Sequence, residues 1–306
     1  MYIDTIVLKY YTQIIPELLK DRWDCIDKRK SDGTRYTVYY LNEQLENGAL
    51  VKCTYYPYAF TQPAVLQVEF SIPMVLYGNN YTVVEDFREA IGSIDEILAN
   101  IDGLPPVMVE TGIVHRVDVY ADHQVGDLVP YYIKALQPLE YRYLKTAPWT
   151  SQGVQYFNKQ RCTKFYDKEK QSRNPINHGI LRQETTLRSK AVKKLTGKKQ
   201  PNIFDLAPEL LRRVLEDALK DLDLFDRSIG TADTTLQVLT QEYGELAGLY
   251  YYGLLHAKVN LTPEIIQSAT KSHPRSIDRR LQKILDAGVP LTLTEHTRPL
   301  PPLVIR

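Results

Sequence analysis

The alternation of apolar and polar positions predicts two rounds of strands followed by a helix. Residues 36–41 and 49–57 form a predicted β-hairpin around the Asn47-Gly48 turn, and a third strand is predicted at 64–72. Apolar side chains at helical spacing then predict a helix over 84–99. The second round is predicted as a strand at 112–122, a helix at 127–136, and strands near 140–145, 154–158, 162–167 and 179–187.

The pattern becomes helical in the last third of the chain. Helices are predicted at 208–224, at 233–257, from Thr262-Pro263 onward and at 276–287. The last two fit either a helix-turn-helix that binds DNA or an ordinary helical subdomain. We therefore predict an α+β fold, in which residues 1–205 form a mainly antiparallel central sheet with packed helices and residues 206–306 form a helical C-terminal subdomain.

Composition excludes several classes of protein. With 25% charged and 43% hydrophobic residues among 306, the chain is neither disordered nor fibrous. No run reaches the roughly 18 apolar residues of a membrane span, and Asp4 and Lys9 interrupt the N-terminal apolar run. Three scattered cysteines fit a reducing compartment. We expect a cytoplasmic protein with no signal peptide and no membrane partner.

The near balance of 38 bases and 37 acids hides a strongly basic segment. Residues 159–199 contain thirteen bases and three acids, which suggests an electrostatic footprint for a phosphate backbone. A solvated basic loop is the alternative. The candidate DNA contacts are Arg161, Lys164, Arg182, Arg188, Lys190, Lys193 and Lys194.

Three carboxylates fall within predicted strands, namely Glu69, Asp118 and Glu184. Acids on one sheet repel one another unless a cation lies between them, and hard oxygen ligands favour Mg²⁺ or Mn²⁺. Such an ion would stabilise the charge on a scissile phosphate. The alternative is local ion pairing, of Asp118 with Arg116 and of Glu184 with Arg182.

One of the 22 tyrosines has lysines on both sides. The alternation of Lys164, Tyr166 and Lys168 predicts that all three share one strand face. A phenol has a pKa near 10, so a nucleophilic tyrosine needs positive charge nearby. Tyr156 is a second candidate, and a packed core residue is the alternative for either.

Other catalytic signatures do not occur in this sequence. The six histidines include no His-x-His or His-x-x-x-His pair, which counts against a zinc hydrolase and against the histidine-metal site of many nicking enzymes. There is no Gly-rich phosphate loop and no Ser-centred nucleophile elbow, so an ATPase or a serine hydrolase is not expected.

Five segments resemble a known family in their order along the chain: MYIDTIVLKY, VEFSIPMVLYGNN, HRVDVYAD, CTKFYDKEKQ and LRQETTLRSKAVKKL. This series is similar to the filamentous-phage replication initiators, the gene-two (gene II/X) endonuclease family of rolling-circle Rep proteins. The segment between Lys170 and Gly179 departs from the family pattern in length and composition.

The resemblance implies a replication initiator that nicks one strand at a phage or plasmid origin. Tyr166 would form a 5′-phosphotyrosine link and rejoin the strand after replication, and Lys168 would contact the phosphate. Asp118 and Glu184 would hold the metal, completed by Glu69 or Asp122. The implied partners are origin DNA, double-stranded and supercoiled but single-stranded at the nick, and the host helicase and polymerase.

Other functions fit the same residues. A metal-dependent nuclease or transposase would use water in place of tyrosine. A binding-only origin or transcription factor would grip DNA without breaking it. A conjugative relaxase would share the tyrosine chemistry.

Overall fold

A computed structural model describes residues 3–14, 19, 21–29, 31, 33–57, 63–82, 84, 86–141, 143–150, 152–270 and 272–305. Within these ranges the chain forms an α+β fold of ten strands and ten α-helices, which confirms the predicted fold class. No helix in the described ranges combines the length and the apolar character that crossing a membrane requires. Positions 1–2, 85 and 142 of the predicted elements lie outside the described residues.

The strands belong to an antiparallel sheet with the order β2-β3-β4-β5-β1-β6-β10-β9-β8-β7. They are β1 (Ile3–Tyr11), β2 (Asp24–Arg29), β3 (Arg35–Gln44), β4 (Leu50–Tyr56), β5 (Val65–Ser71), β6 (Ile113–Gln124), β7 (Lys145–Pro148), β8 (Gly153–Phe157), β9 (Arg161–Asp167) and β10 (Ile180–Arg188).

Four of the described helices lie among the strands and six follow the last strand. They are α1 (Ile72–Tyr77), α2 (Phe87–Ala99), α3 (Val129–Leu136), α4 (Lys168–Ser172), α5 (Ser189–Thr196), α6 (Pro208–Asp221), α7 (Ala232–Tyr243), α8 (Glu245–Asn260), α9 (Pro263–Thr270) and α10 (Pro274–Asp286).

The structure corrects several predicted elements. The helix predicted over 233–257 is two helices, because Gly244 adopts a left-handed φ of 83° that ends the first one. β7 lies at Lys145–Pro148, later than the predicted 140–145. β2 and three short helices, α1, α4 and α5, were not predicted. The helix α1 begins at a local signal, since Ser71 caps it and Pro73 lies in its first turn.

The chain divides into two compact units. The first unit contains residues 1–120, 159–161 and 186–211. Its core is built from alternate positions of β1 and β5, such as Leu8 and Val68, and from the apolar face of α2, including Ile91 and Ile94. This unit holds Glu69, Asp118 and the basic helix α5.

The second unit contains residues 121–158, 162–185 and 212–306. Its strands bury Tyr156 and Phe165, and its C-terminal helices share a separate apolar cluster around Leu239, Leu255 and Ile284. Tyr166 and Glu184 belong to this unit. The ranges of the two units differ from the predicted domains, 1–205 and 206–306, whose division remains a prediction.

Candidate functional site

In the second unit, the residue of the neighbouring strand that pairs with Tyr166 on β9 has no side chain. Tyr166 lies opposite Gly153 on β8. A β-carbon on Gly153 would lie 2.5 Å from the backbone oxygen of Phe165 and 2.8 Å from Cβ of Tyr166. Both distances are too short for non-bonded contacts, the first between carbon and oxygen and the second between two carbon atoms. Glycine at position 153 is therefore required for Tyr166 to lie where it does.

The phenol of Tyr166 is hydrogen-bonded to a carboxylate that also binds a lysine. Tyr166 Oη donates to Oε2 of Glu184 at 2.9 Å, and Nζ of Lys164 donates to Oε1 of the same group at 2.9 Å. Both Tyr166 and Glu184 are buried, at 3% and 8% exposure. Burial alone would raise the pKa of Glu184, but Lys164, the phenol and Arg182 together hold that pKa below its ordinary value. Glu184 is therefore ionised at neutral pH and accepts a hydrogen bond from the phenol.

Trp149 covers this group. Its ring centroid lies 4.4 Å from that of Tyr166, and Nζ of Lys164 lies 5.4 Å from the centre of the indole. Trp149 is half-buried, and the next residue, Thr150, takes a left-handed φ of 54°. Sequence reasoning missed both Trp149 and Gly153. The sequence signal for Gly153 was a glycine immediately before the predicted strand 154–158.

Lys168 does not share the strand face of Tyr166, so that prediction is wrong. β9 ends at Asp167, whose side chain caps α4, and Lys168 is the first residue of this helix. The Lys168 side chain is fully buried, and its Nζ donates to Gln171 Oε1 at 2.9 Å. Its predicted contact with phosphate remains a prediction, which this buried position does not favour.

The other two predicted metal ligands lie in the first unit and share one arginine. Arg116 is ion-paired with Asp118, through Nε at 3.1 Å from Oδ1 and through a second bond from Nη2, and its Nη1 lies 3.6 Å from Oε2 of Glu69. Register explains the arrangement, because Glu69 and Arg116 both lie opposite Val7 on β1. The predicted alternative pairing of Asp118 with Arg116 is confirmed.

Arg182, another predicted DNA contact, lies inside the protein in an ion pair. It is fully buried, and its guanidinium makes bonds of 2.6 and 2.7 Å to the carboxylate of Asp122. The predicted contact of Arg182 with DNA remains a prediction, which this buried position does not favour. The alternative partner predicted for Glu184 was also Arg182, but the cation bonded to Glu184 is Lys164.

The predicted metal ligands are hard oxygen donors, which suit Mg²⁺ or Mn²⁺. Each is nevertheless paired with a cation: Glu69 and Asp118 with Arg116, and Glu184 with Lys164. Among the described residues, no three His, Cys, Asp or Glu side chains form a group that would hold a metal ion. This arrangement of paired carboxylates does not fit a divalent ion. The requirement for Mg²⁺ or Mn²⁺ remains a prediction.

The exposed part of the basic segment is concentrated on α5 of the first unit. Arg188, Lys190, Lys193 and Lys194 are exposed, and no described acidic side chain forms an ion pair with any of the four. Burial, Lys9 and Lys193 lower the pKa of His115, so positive charge extends from α5 toward β1. Of the remaining predicted contacts, Arg161 is half-buried and Lys164 is bonded to Glu184.

No protein-family model matches this sequence, and no curated protein matches it in sequence. Among solved structures, the chain is similar to one described as the structure of the rolling circle replication initiator protein from Geobacillus stearothermophilus. The match has 12% sequence identity and a TM-score of 0.37, and covers 72% of this chain and 83% of that chain. A TM-score below 0.5 does not show that the two chains share a fold or a function.

Proposed function

We propose that this chain is a rolling-circle replication initiator, a site-specific endonuclease that cuts one DNA strand with Tyr166 and later rejoins it. The observation that carries the proposal is the hydrogen bond from the Tyr166 phenol to the ionised carboxylate of Glu184. A phenol becomes a nucleophile when a neighbouring base takes its proton. The resemblance of five ordered segments to filamentous-phage initiators supports the choice of DNA as substrate.

The proposed step balances with water as the only other reactant. As Tyr166 Oη attacks the scissile phosphorus, its proton moves to Glu184, and the bond from phosphorus to the 3′ oxygen breaks. The departing 3′ oxygen leaves on the opposite side of phosphorus and takes a proton from water, while Glu184, whose lowered pKa means that it holds a proton weakly, returns its proton to water. The products are a 5′-phosphotyrosine link and a free 3′-hydroxyl. The reverse reaction rejoins the strand, since the phosphotyrosine bond retains the energy of the phosphodiester.

Substrate has to reach a buried phenol. Tyr166 is 3% exposed, and the indole of Trp149 lies against its ring. We propose that Trp149 moves away from Tyr166 when a single strand enters, and that its indole stacks on a base there. Lys164 remains beside the phosphate as a positive charge.

The basic helix α5 is the proposed contact to the DNA backbone. Four exposed bases with no described acidic partner neutralise phosphates in any sequence, and binding of this kind weakens steeply with salt. The proposed substrate is supercoiled origin DNA. The proposed partners are the helicase and polymerase of a host cell, in whose cytoplasm the protein acts.

The test compares two tyrosines of the second unit on supercoiled origin DNA. Tyr166→Phe removes only the nucleophilic oxygen and its bond to Glu184, and we expect no nicking and no protein joined to a 5′ end. Tyr156→Phe is the matched control, because Tyr156 is also buried and its hydroxyl donates to a backbone oxygen, that of Leu136. We expect this variant to nick normally. Covalent attachment by Tyr166→Phe would refute the proposal, and cleavage without attachment would favour a nuclease that uses water.

One observation favours a second function. The burial of Tyr166 under Trp149 also suits a protein that binds origin DNA without cutting it, in which Tyr166, Glu184 and Lys164 are packing residues. That function predicts tight, salt-sensitive binding with no strand break under any metal condition. The same nicking assay distinguishes the two functions.

A further inference from the structure

A groove in the first unit lies outside the site built around Tyr166. It has a volume of about 840 Å³ and is lined by residues of β1, α2 and the segment before β6. We propose that this groove binds an unpaired nucleobase of single-stranded DNA, with Tyr11 as the stacking surface. The DNA identity of the ligand rests on the proposed function, but the site and its test do not depend on Tyr166.

The groove is formed by fixed contacts. The Tyr10 hydroxyl donates to the backbone oxygen of Met108 at 3.1 Å, and a carboxylate oxygen of Asp95 accepts from the backbone amide of Val109 at 2.7 Å. A β-carbon on Gly112 would lie 2.8 Å from the Tyr10 hydroxyl, so glycine allows this close approach. These contacts hold one wall in place and leave Met108 half exposed at the opening.

Tyr11 presents an aromatic face to solvent next to a cation. Its side chain is 52% exposed although it ends a strand of the central sheet, and Nζ of Lys9 lies 4.9 Å from its ring centre. Every base has a flat face that stacks on such a ring. Lys9 is suited to the phosphate attached to that base. Lys9 and Lys193 of α5 both act on His115, whose pKa burial and these two lysines lower, so the two lysines contribute to one positive field there.

The helix α2 contributes carboxylates to the groove. Asp95 and Glu96 both line the groove, and burial, with a smaller contribution from Glu110, raises the pKa of Asp95. Carboxylates repel a phosphate but accept hydrogen bonds from amino groups on base edges, such as the N4 amino group of cytosine. The groove therefore offers a cation for the phosphate, at Lys9 of β1, and carboxylates for the base edge, at Asp95 and Glu96 of α2. This combination fits a nucleotide within a strand, and it predicts a preference for cytosine over thymine, which has no amino group.

The experiment uses the full chain and fluorescence anisotropy with labelled (dC)12, (dT)12 and a duplex of equal length. We expect tighter binding of (dC)12 than of (dT)12. Tyr11→Ala should weaken the binding of (dC)12 by about 5- to 100-fold and leave duplex binding unchanged, since stacking needs an exposed base. Tyr11→Phe keeps the ring and should restore binding. Tyr77→Ala is the matched control, because Tyr77 is 44% exposed in the same unit but lies outside the groove.

Several outcomes would overturn the inference. The first is that Tyr11→Ala binds (dC)12 as tightly as the unsubstituted protein does. The second is that Tyr11→Ala loses as much affinity for the duplex as for (dC)12. The third is that Tyr77→Ala loses as much affinity for (dC)12 as Tyr11→Ala does. Competition by free dCMP as effective as by the strand, at equal nucleotide concentration, would assign the groove to a mononucleotide instead. If Tyr11→Phe failed to rescue, stacking would be excluded. Nicking is measured in a separate assay. If Tyr166→Phe still nicked DNA, the Tyr166 mechanism would fail while the binding results for Tyr11 would still test the groove.

Discussion

Replacing Glu184 with glutamine removes one charge and almost no volume from the centre of the site. Its two carboxylate oxygens accept from Tyr166 and Lys164 at 2.9 Å, and its side chain is only 10% exposed. The amide oxygen of glutamine can accept a hydrogen bond from either Tyr166 or Lys164, and its NH₂ group then faces the other of these two donors. The variant therefore leaves one donor without an acceptor and Lys164 without its countercharge.

The expected cost follows from these contacts. Hydrogen bonds to charged groups contribute about 1.5–3 kcal/mol each, and breaking a buried ion pair costs about 3–5 kcal/mol. Lys164 is 21% exposed, so water recovers part of its solvation. We expect Glu184→Gln to lower the free energy of unfolding by about 2 kcal/mol at pH 7. Nicking should fall by about 10²- to 10⁴-fold, the usual contribution of a general base.

Equilibrium unfolding in urea measures the stability difference, and its pH dependence tests the cause. Because the pKa of Glu184 is lowered in the folded protein, its charge stabilises the fold above the ordinary glutamate pKa of about 4.3. That stabilisation is lost as the pH falls through the lower, folded value. The difference between Glu184 and Glu184→Gln should therefore be constant from neutral pH down to about pH 5 and shrink below about pH 4.

Glu46→Gln is the control, because Glu46 is exposed in the turn between β3 and β4 and should change stability by less than about 0.5 kcal/mol. A Glu184→Gln protein as stable as the control would refute the ion-pair argument. A stability difference that persisted unchanged well below pH 4 would show that packing, and not the charge of Glu184, is responsible. Full nicking activity would remove Glu184 from the proposed proton transfer.

Three further predictions test the packing, the DNA surface and the metal. Gly153→Ala should lower the free energy of unfolding by about 1–3 kcal/mol and suppress nicking, because the added methyl group would overlap with β9. The control is Gly92→Ala, in a helix with nothing within 4 Å, which should raise the free energy of unfolding by up to about 1 kcal/mol in the same urea titration. Equal effects would contradict the close approach. Charge reversal of Lys190, Lys193 and Lys194 to glutamate should weaken duplex binding and flatten its salt dependence; an unchanged salt slope would show that α5 does not contact phosphate. The metal requirement that the sequence predicts would make nicking stop in excess chelator and return with Mg²⁺ or Mn²⁺; full activity in chelator would reject it and would agree with the pairing of these carboxylates with Arg116 and Lys164.

Local patterns were sufficient for much of the secondary structure. The β3–β4 hairpin around Asn47-Gly48, the helix α2 and the strand β10 all lie close to their predicted positions. Prediction failed where a single residue decided a boundary. Gly244 divides one apolar helical pattern into two helices, and the Asp167 cap ends β9 one residue before Lys168.

The sequence by itself determined the α+β class, the basic segment and the choice of Tyr166 and Glu184, because periodicity, charge and residue type are local properties. Only the tertiary structure decided the partner of each charge. Strand register brings Glu69 to Arg116 across Val7 and buries Arg182 against Asp122, and strand pairing places Gly153 opposite Tyr166. Ion pairs and close approaches depend on distances between residues far apart in the chain. Those distances arise only when the strands pair. In the folded protein the predicted metal ligands are therefore carboxylates that are ion-paired with Arg116 or Lys164.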